Sequence, residues 1–164
     1  MKLLVSDTGP LNYLIQIESV GLLREIAKDV LVPVSVLNEL KSEMAPDSVR
    51  NWAFSLPDWL RVVEDPEVHP DPSSSLSKTD LAVIQLASLG NAILVMDESH
   101  GREMARSLNV PVIGTVGILL LGAELGLVDF PSALTLLKQT NMFLSPNIIQ
   151  DAWTRFRAIQ PKRA

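Results

Sequence analysis

Apolar residues follow two rhythms along this chain. Short unbroken runs occur at "KLLV" before Ser6 and Asp7, at "VLVPV" (30–34), at "AILVM" before Asp97, and at "VPVI" (110–113). Their length and β-branched content predict strands over 2–7, 30–34, 92–97 and 110–115. A further run, "WLRVVED" (59–65), stops at Pro66 and predicts an edge strand. Between the runs the spacing changes to three and four. Leu11, Leu14, Ile15 and Ile17 form one such stripe, and Leu22, Leu23 and Ile26 another. The spacing predicts helices over 9–17, 21–29, 35–44, 47–56, 77–90, 100–109, 116–128, 130–140 and 145–159.

Punctuation residues agree with these bounds. Pro10 suits a first helical turn, Ser35 and Ser77 suit N-caps, and Gly90 suits the C′ position after a helix. The segment 66–75 holds three Pro and three Ser and predicts a loop. Strands that are apolar throughout are buried on both faces, and strands alternating with helices make a parallel α/β sheet. The chain has no internal repeat. It reads as one domain over 1–164, with 45–75 as a variable insert and loop and 145–164 as a C-terminal helix and basic tail.

Composition narrows the chemistry. A chain of 164 residues buries roughly 70% of its unfolded surface and needs no covalent staple. It has no Cys, which removes disulfides, zinc–thiolate sites and thiol nucleophiles, and fits a reducing cytoplasm. The apolar start is too short for a signal peptide. The longest apolar run, 112–128, carries Glu124 and four Gly, so no membrane span is expected. The net charge is −5, which speaks against a general nucleic-acid binder. The balance is uneven, because Arg155, Arg157, Lys162 and Arg163 face only Asp151 in the last fourteen residues.

The candidate chemistry sits where strands end. Asp7 ends the first run, Asp97 and Glu98 end "AILVM", and Thr115 ends "VPVIGT". Glu39 lies one turn into the helix after the second strand, and Asp80 lies in the first turn of the 77–90 helix. Parallel sheets bind ligands outside the carboxyl ends of their strands. Clustered carboxylates repel one another and favour a cation, and oxygen donors suit Mg²⁺ or Mn²⁺. Each acid also has a plainer role. Asp7 and Asp80 can stabilise the starts of helices, Asp80 within a Ser77–Asp80 capping box, and Glu39 can be a solvated helix residue.

The stretches "VSDTGPLNYL", "VLVPVSVLNEL", "LSKTDLAVIQLA" and "ILVMDESHGREMARSLNVPVIGTVGILLLGAELGLV", in this order, resemble the PIN-domain family, in its branch of toxin ribonucleases. The resemblance spans roughly 3–157 and is weakest over 45–75. It implies a PIN-like three-layer α/β sandwich with a central, mostly parallel sheet flanked by helices. It implies a metal-dependent ribonuclease in which Asp7, Glu39, Asp80 and Asp97 hold Mg²⁺ or Mn²⁺. Glu98 is the alternative to Asp97, and Thr8 and Thr115 support the site. The third acid departs from the branch's usual Gly-Glu, reading "TD" at 79–80. Arg102 and Arg106, one turn apart, are candidate RNA phosphate contacts or a solvated helix face. RNA, an antitoxin protein and a second copy of the chain are the implied partners. The alternative is a PIN-fold nucleic-acid-binding or scaffold protein with a weak or lost metal site. Trp52, Phe54 and Trp59 are core residues or an interface, and His69 and His100 are expected on the surface.

Overall fold

The computed structural model describes residues 2–159. Lys162 and Arg163 of the basic tail lie outside the described residues. The unbroken apolar runs form the strands β1 (Leu3–Ser6), β2 (Asp29–Pro33), β3 (Leu60–Val63), β4 (Ile93–Val95) and β5 (Val112–Ile113). All pair in parallel, in the order β3-β2-β1-β4-β5. β1 is central, with Leu4 beside Val30 on one side and Ile93 on the other. Successive strand residues face opposite ways. Leu4 and Val5 are both buried, so both faces of the sheet are covered and the architecture has three layers.

The covering helices are α1 (Thr8–Gln16), α2 (Leu22–Ile26), α3 (Val34–Leu40), α4 (Asp47–Ala53), α5 (Lys78–Leu89), α6 (Ser99–Ser107), α7 (Thr115–Glu124), α8 (Phe130–Lys138) and α9 (Pro146–Ile159). α5 packs on β1, β2 and β4 with Ala82, Val83, Ile84 and Ala87 buried. α9 packs on α7, and its Phe156 stacks on Phe130 with centroids 5.0 Å apart. Trp153 meets Phe130 edge-on at 5.7 Å. Between α4 and β3, Trp52 and Trp59 pair at 6.3 Å, while Phe54 stands out to solvent under the Lys41 ammonium.

Three local expectations are corrected. Ser35 is not an N-cap, because α3 begins one residue earlier, after Pro33. Its N–H is satisfied from afar, donating to Asp65 Oδ1 at 3.0 Å. Gly90 is the C-cap of α5 with φ −86°, and the left-handed turn falls on Asn91 at φ 50°. Asn tolerates that region through local hydrogen bonding. Thr115 does not end a strand. β5 stops at Ile113, only half-buried at the sheet edge, and Thr115 opens α7.

The aromatic cluster fixes α9 against the body of the protein. Phe130→Ala removes its fully buried centre and is expected to cost ~3–5 kcal/mol. Urea unfolding followed by tryptophan fluorescence measures that loss, since Trp153 sits in the same cluster.

Candidate metal centre

The sheet order sets the position of the site. The chain runs from β1 outward to β2 and β3, then crosses back to place β4 on the other side of β1. Such a switch opens a crevice outside the carboxyl ends of the two strands that flank it. Asp7 follows β1 and Asp97 follows β4. The Asp7 N–H donates to the Val95 carbonyl at 2.9 Å, which ties the two strand ends together. Asp7 occupies the N-cap position of α1, yet its side chain caps nothing. It is 8% exposed.

Asp97 is held by a clamp. Thr115 donates its N–H to Oδ1 at 2.8 Å and its hydroxyl to Oδ2 at 2.6 Å. Thr115 is fully buried, so this geometry is protected from water. Gly114 makes the clamp possible. A Cβ there would lie 2.7 Å from Asp97 Oδ1 and 2.7 Å from Arg102 Nη1. Arg102 leans over the same point, its Nη1 donating to the Met96 carbonyl at 3.5 Å. Burial pushes the Asp97 carboxyl up, while the Thr115 bonds and the Arg102 guanidinium pull it down.

The other acids surround this pair with different duties. Glu39 Oε1 accepts the Thr8 hydroxyl at 2.6 Å, which links α1 to α3. Asp80 Oδ2 accepts the Ser77 N–H at 2.8 Å, completing a capping box. Glu98 turns into the start of α6, accepting from the N–H groups of His100 and Gly101. The opposite phases of Asp97 and Glu98 thus give one carboxylate to the crevice and one to a helix end. His100 is exposed and meets the Ser75 hydroxyl, and His69 is exposed. Glu39, Asp80 and Asp97 lie within electrostatic reach of Asp7. Burial foremost, then the Asp80 charge, with smaller contributions from Glu39 and Asp97, raises the Asp7 carboxyl from 3.8 to about 7.

Two grooves flank the acids. One, of about 600 Å³, runs from Asp97 along β5 between α6 and α9, and Arg102, Arg106 and Arg155 line it. The other, of about 560 Å³, opens beside Thr8 and Glu39 between α1 and α3. The segment 139–144 walls both. Its Gln139, Thr140 and Asn141 face the second groove, and its Met142, Phe143 and Leu144 face the first. Sequence reasoning missed Gly114, Phe143 and the groove role of Arg155. Thr8, Asn12 and Gln16 recur every fourth residue in an otherwise apolar helix, and that spacing was a readable signal of a polar face.

Comparison with known families decides the kinship. The family model of the PIN domain matches residues 3–157. The chain belongs to the PIN-domain family. PIN domains are generally nucleases that use divalent metals, and the PIN fold agrees with the parallel sheet described above. Among solved structures, the chain is similar to a PilT N-terminus domain protein from the hyperthermophilic archaeon Sulfolobus solfataricus P2. Identity is 12%, over 87% of this chain and 99% of that one, with a TM-score of 0.46. A comparison with curated proteins finds no match. Among the described residues, no helix is long and apolar enough to cross a membrane.

The donor set fits a hard divalent cation. Its members are carboxylates and hydroxyls, with no thiolate and no imidazole in the crevice. Among the described residues, no three acidic or imidazole side chains converge into a closed ligand set. Mg²⁺ takes one or two carboxylates and keeps several waters, and Asp7 and Asp97, at the ends of neighbouring strands, are the pair that would hold it. Glu39 and Asp80 each hold a neighbour through one oxygen, and Asp97 holds Thr115 through both.

The raised Asp7 carboxyl has a consequence for folding in chelator. Between pH 3.8 and about 7 the native state holds a proton that the unfolded chain has released. Stability therefore falls as pH rises through this window, and the full cost is present above it. The difference between 3.8 and about 7 corresponds to ~4 kcal/mol. Melting temperatures measured from pH 4 to 8 are expected to decline for the wild type and to flatten for Asp7→Asn. A second expectation concerns the clamp. Gly114→Ala forces both Asp97 Oδ1 and Arg102 Nη1 aside, and crystallography of that variant should show the Thr115–Asp97 pair broken in a folded protein.

Proposed function

We propose that this PIN-domain protein is a Mg²⁺- or Mn²⁺-dependent endoribonuclease. The observation that carries the reading is the buried Asp7, surrounded by three further acids at the switch point of the sheet. Asp7 and Asp97 bind the ion, and Thr115 orients Asp97 towards it. Arg102, Arg106 and Arg155 hold backbone phosphates along the first groove, bringing the strand to the acids despite the net charge of −5. A divalent ion bound there supplies an activated water and offsets charge developing on the phosphate. Asp7, once neutralised by that partner, no longer needs its proton. Glu39 and Asp80 add negative charge that favours the cation over a bound water alone.

RNA as the substrate is supported by the likeness to the toxin-ribonuclease branch, as are the toxin role, the antitoxin partner and the homodimer. The exposed basic residues Arg106 and Arg155 support a nucleic acid in general.

Calorimetric titration with Mn²⁺ tests the reading first. Binding is expected in the wild type and absent in Asp7→Asn/Asp97→Asn. Thr115→Val, which removes the hydroxyl behind Asp97, should weaken Mn²⁺ ~10–100-fold. Cleavage of single-stranded RNA should fall in the same order. A wild type that binds no Mn²⁺ at millimolar concentration sinks the nuclease reading and leaves a PIN-fold binding protein.

A further inference from the structure

We propose that the second groove is a base-reading pocket. In it, the amides of Asn12, Gln16, Gln139 and Asn141 recognise the edge of one unpaired nucleobase next to the scissile phosphodiester. The inference deepens the nuclease reading and rests on it.

The two grooves differ in chemistry. The first is lined by three arginines set among the carboxylates of Asp97, Glu103 and Asp151, with Arg155 paired to Asp151 at 3.8 Å. Among the described residues, no Lys or Arg lines the second, and Glu39 does. A phosphate entering the second groove would meet a carboxylate and no cation. A neutral group bearing both donors and acceptors would meet four amides instead. Each amide offers a carbonyl oxygen and an NH₂ group. Base edges carry the same mixture, and Asn and Gln are the side chains that pair with them in two-point contacts.

The amides are partly ordered before any ligand arrives. Gln16 Nε2 donates to Asn12 Oδ1 at 3.1 Å, one turn apart on α1. That bond uses neither the Asn12 NH₂ nor the Gln16 carbonyl oxygen, which remain as a donor and an acceptor for a ligand. Both residues are half-buried, which limits their rotamers. Gln139 and Asn141, in the segment after α8, line the same groove. Met44, 92% exposed, and Pro46 give an apolar lip against which a ring can lie flat. The groove's volume suits a nucleobase with its waters.

Position gives the pocket its meaning. Thr8 and Glu39 line it, and Thr8 follows Asp7 directly in the chain. A base seated among the amides belongs to a nucleotide adjacent to the acids. Its neighbours on the far side of the acids lie over the arginine groove. RNA bases that are unpaired can be splayed into such pockets, whereas stacked bases in a duplex cannot. The reading thus assigns phosphate grip to one groove and sequence preference to the other.

The test uses the full chain and four labelled homo-oligoribonucleotides of about eight nucleotides. Binding is followed by fluorescence anisotropy with Ca²⁺ present. The wild type is expected to prefer one base over the weakest by about tenfold. Asn12→Ala/Gln16→Ala should bring the four affinities within about threefold. Gln139→Ala changes an exposed residue outside the core, so it serves as the folded second variant, and it too should narrow the preference. Equal binding of all four oligomers, a preference untouched by these variants, or no binding at all overturns the pocket. Mn²⁺-dependent cleavage of the same oligomers by the wild type judges the nuclease reading separately. Cleavage without base preference removes the pocket alone. A base preference without cleavage keeps the pocket and removes the nuclease.

Discussion

A carboxylate with too little water around it organises this protein. Asp7 cannot withdraw from its neighbours. Its N–H is bonded to the end of β4, its own strand is the centre of the sheet, and both sides of that strand are paired. The acid is therefore presented at the one place where the sheet opens, and it is presented buried. Burial and nearby negative charge raise the free energy of the ionised form. Two things relieve that cost, a proton or a cation.

The surroundings of Asp97 show how the same crevice treats a second acid differently. Two hydrogen bonds from Thr115 and the nearby Arg102 guanidinium oppose its desolvation. Asp7 is under strain from its neighbours and Asp97 is held in place by its own. A pair of unlike carboxylates suits a cation site, because one member is fixed in direction and the other gains most from neutralisation. Gly114 is part of this arrangement although it bears no side chain. Its lack of one is what lets Asp97 and Arg102 share the point where β5 turns into α7.

The flanking grooves inherit their characters from separate elements. α6 and α9 bring arginines to one side, and α1 brings a polar stripe to the other. The segment 139–144 divides them, and its anchorage depends on the packing at both ends. Upstream, Phe130 is buried at the start of α8. Downstream, Trp153 and Phe156 of α9 close on the same ring. The aromatic cluster thus anchors the elements on either side of the wall between the grooves. Asp65 plays a comparable part for α3, completing its first turn from the end of β3 and so holding the helix that carries Glu39.

The sequence by itself determined the layered α/β plan. Unbroken apolar runs need burial on both faces, and a strand with that need has few places to go except the middle of a parallel sheet. Asp7 and Asp97 were legible for the same reason, since a charge ending such a run must lie at the carboxyl end of its strand. The short elements were not legible. Whether Thr115 closed a strand or opened a helix, and whether Gly90 or Asn91 took the left-handed turn, turned on one or two residues at an element's end, where pattern decides least. Tertiary structure alone decided how each acid is used. Glu98 and Asp97 are adjacent in the chain, but one caps α6 and the other meets Thr115, eighteen residues on. Local pattern cannot show this, because a carboxylate looks the same whether its partner is a helix end, a hydroxyl or an ion. The grooves were equally hidden. Their walls come from segments distant in the chain, and only packing of those segments gives one side arginines and the other amides.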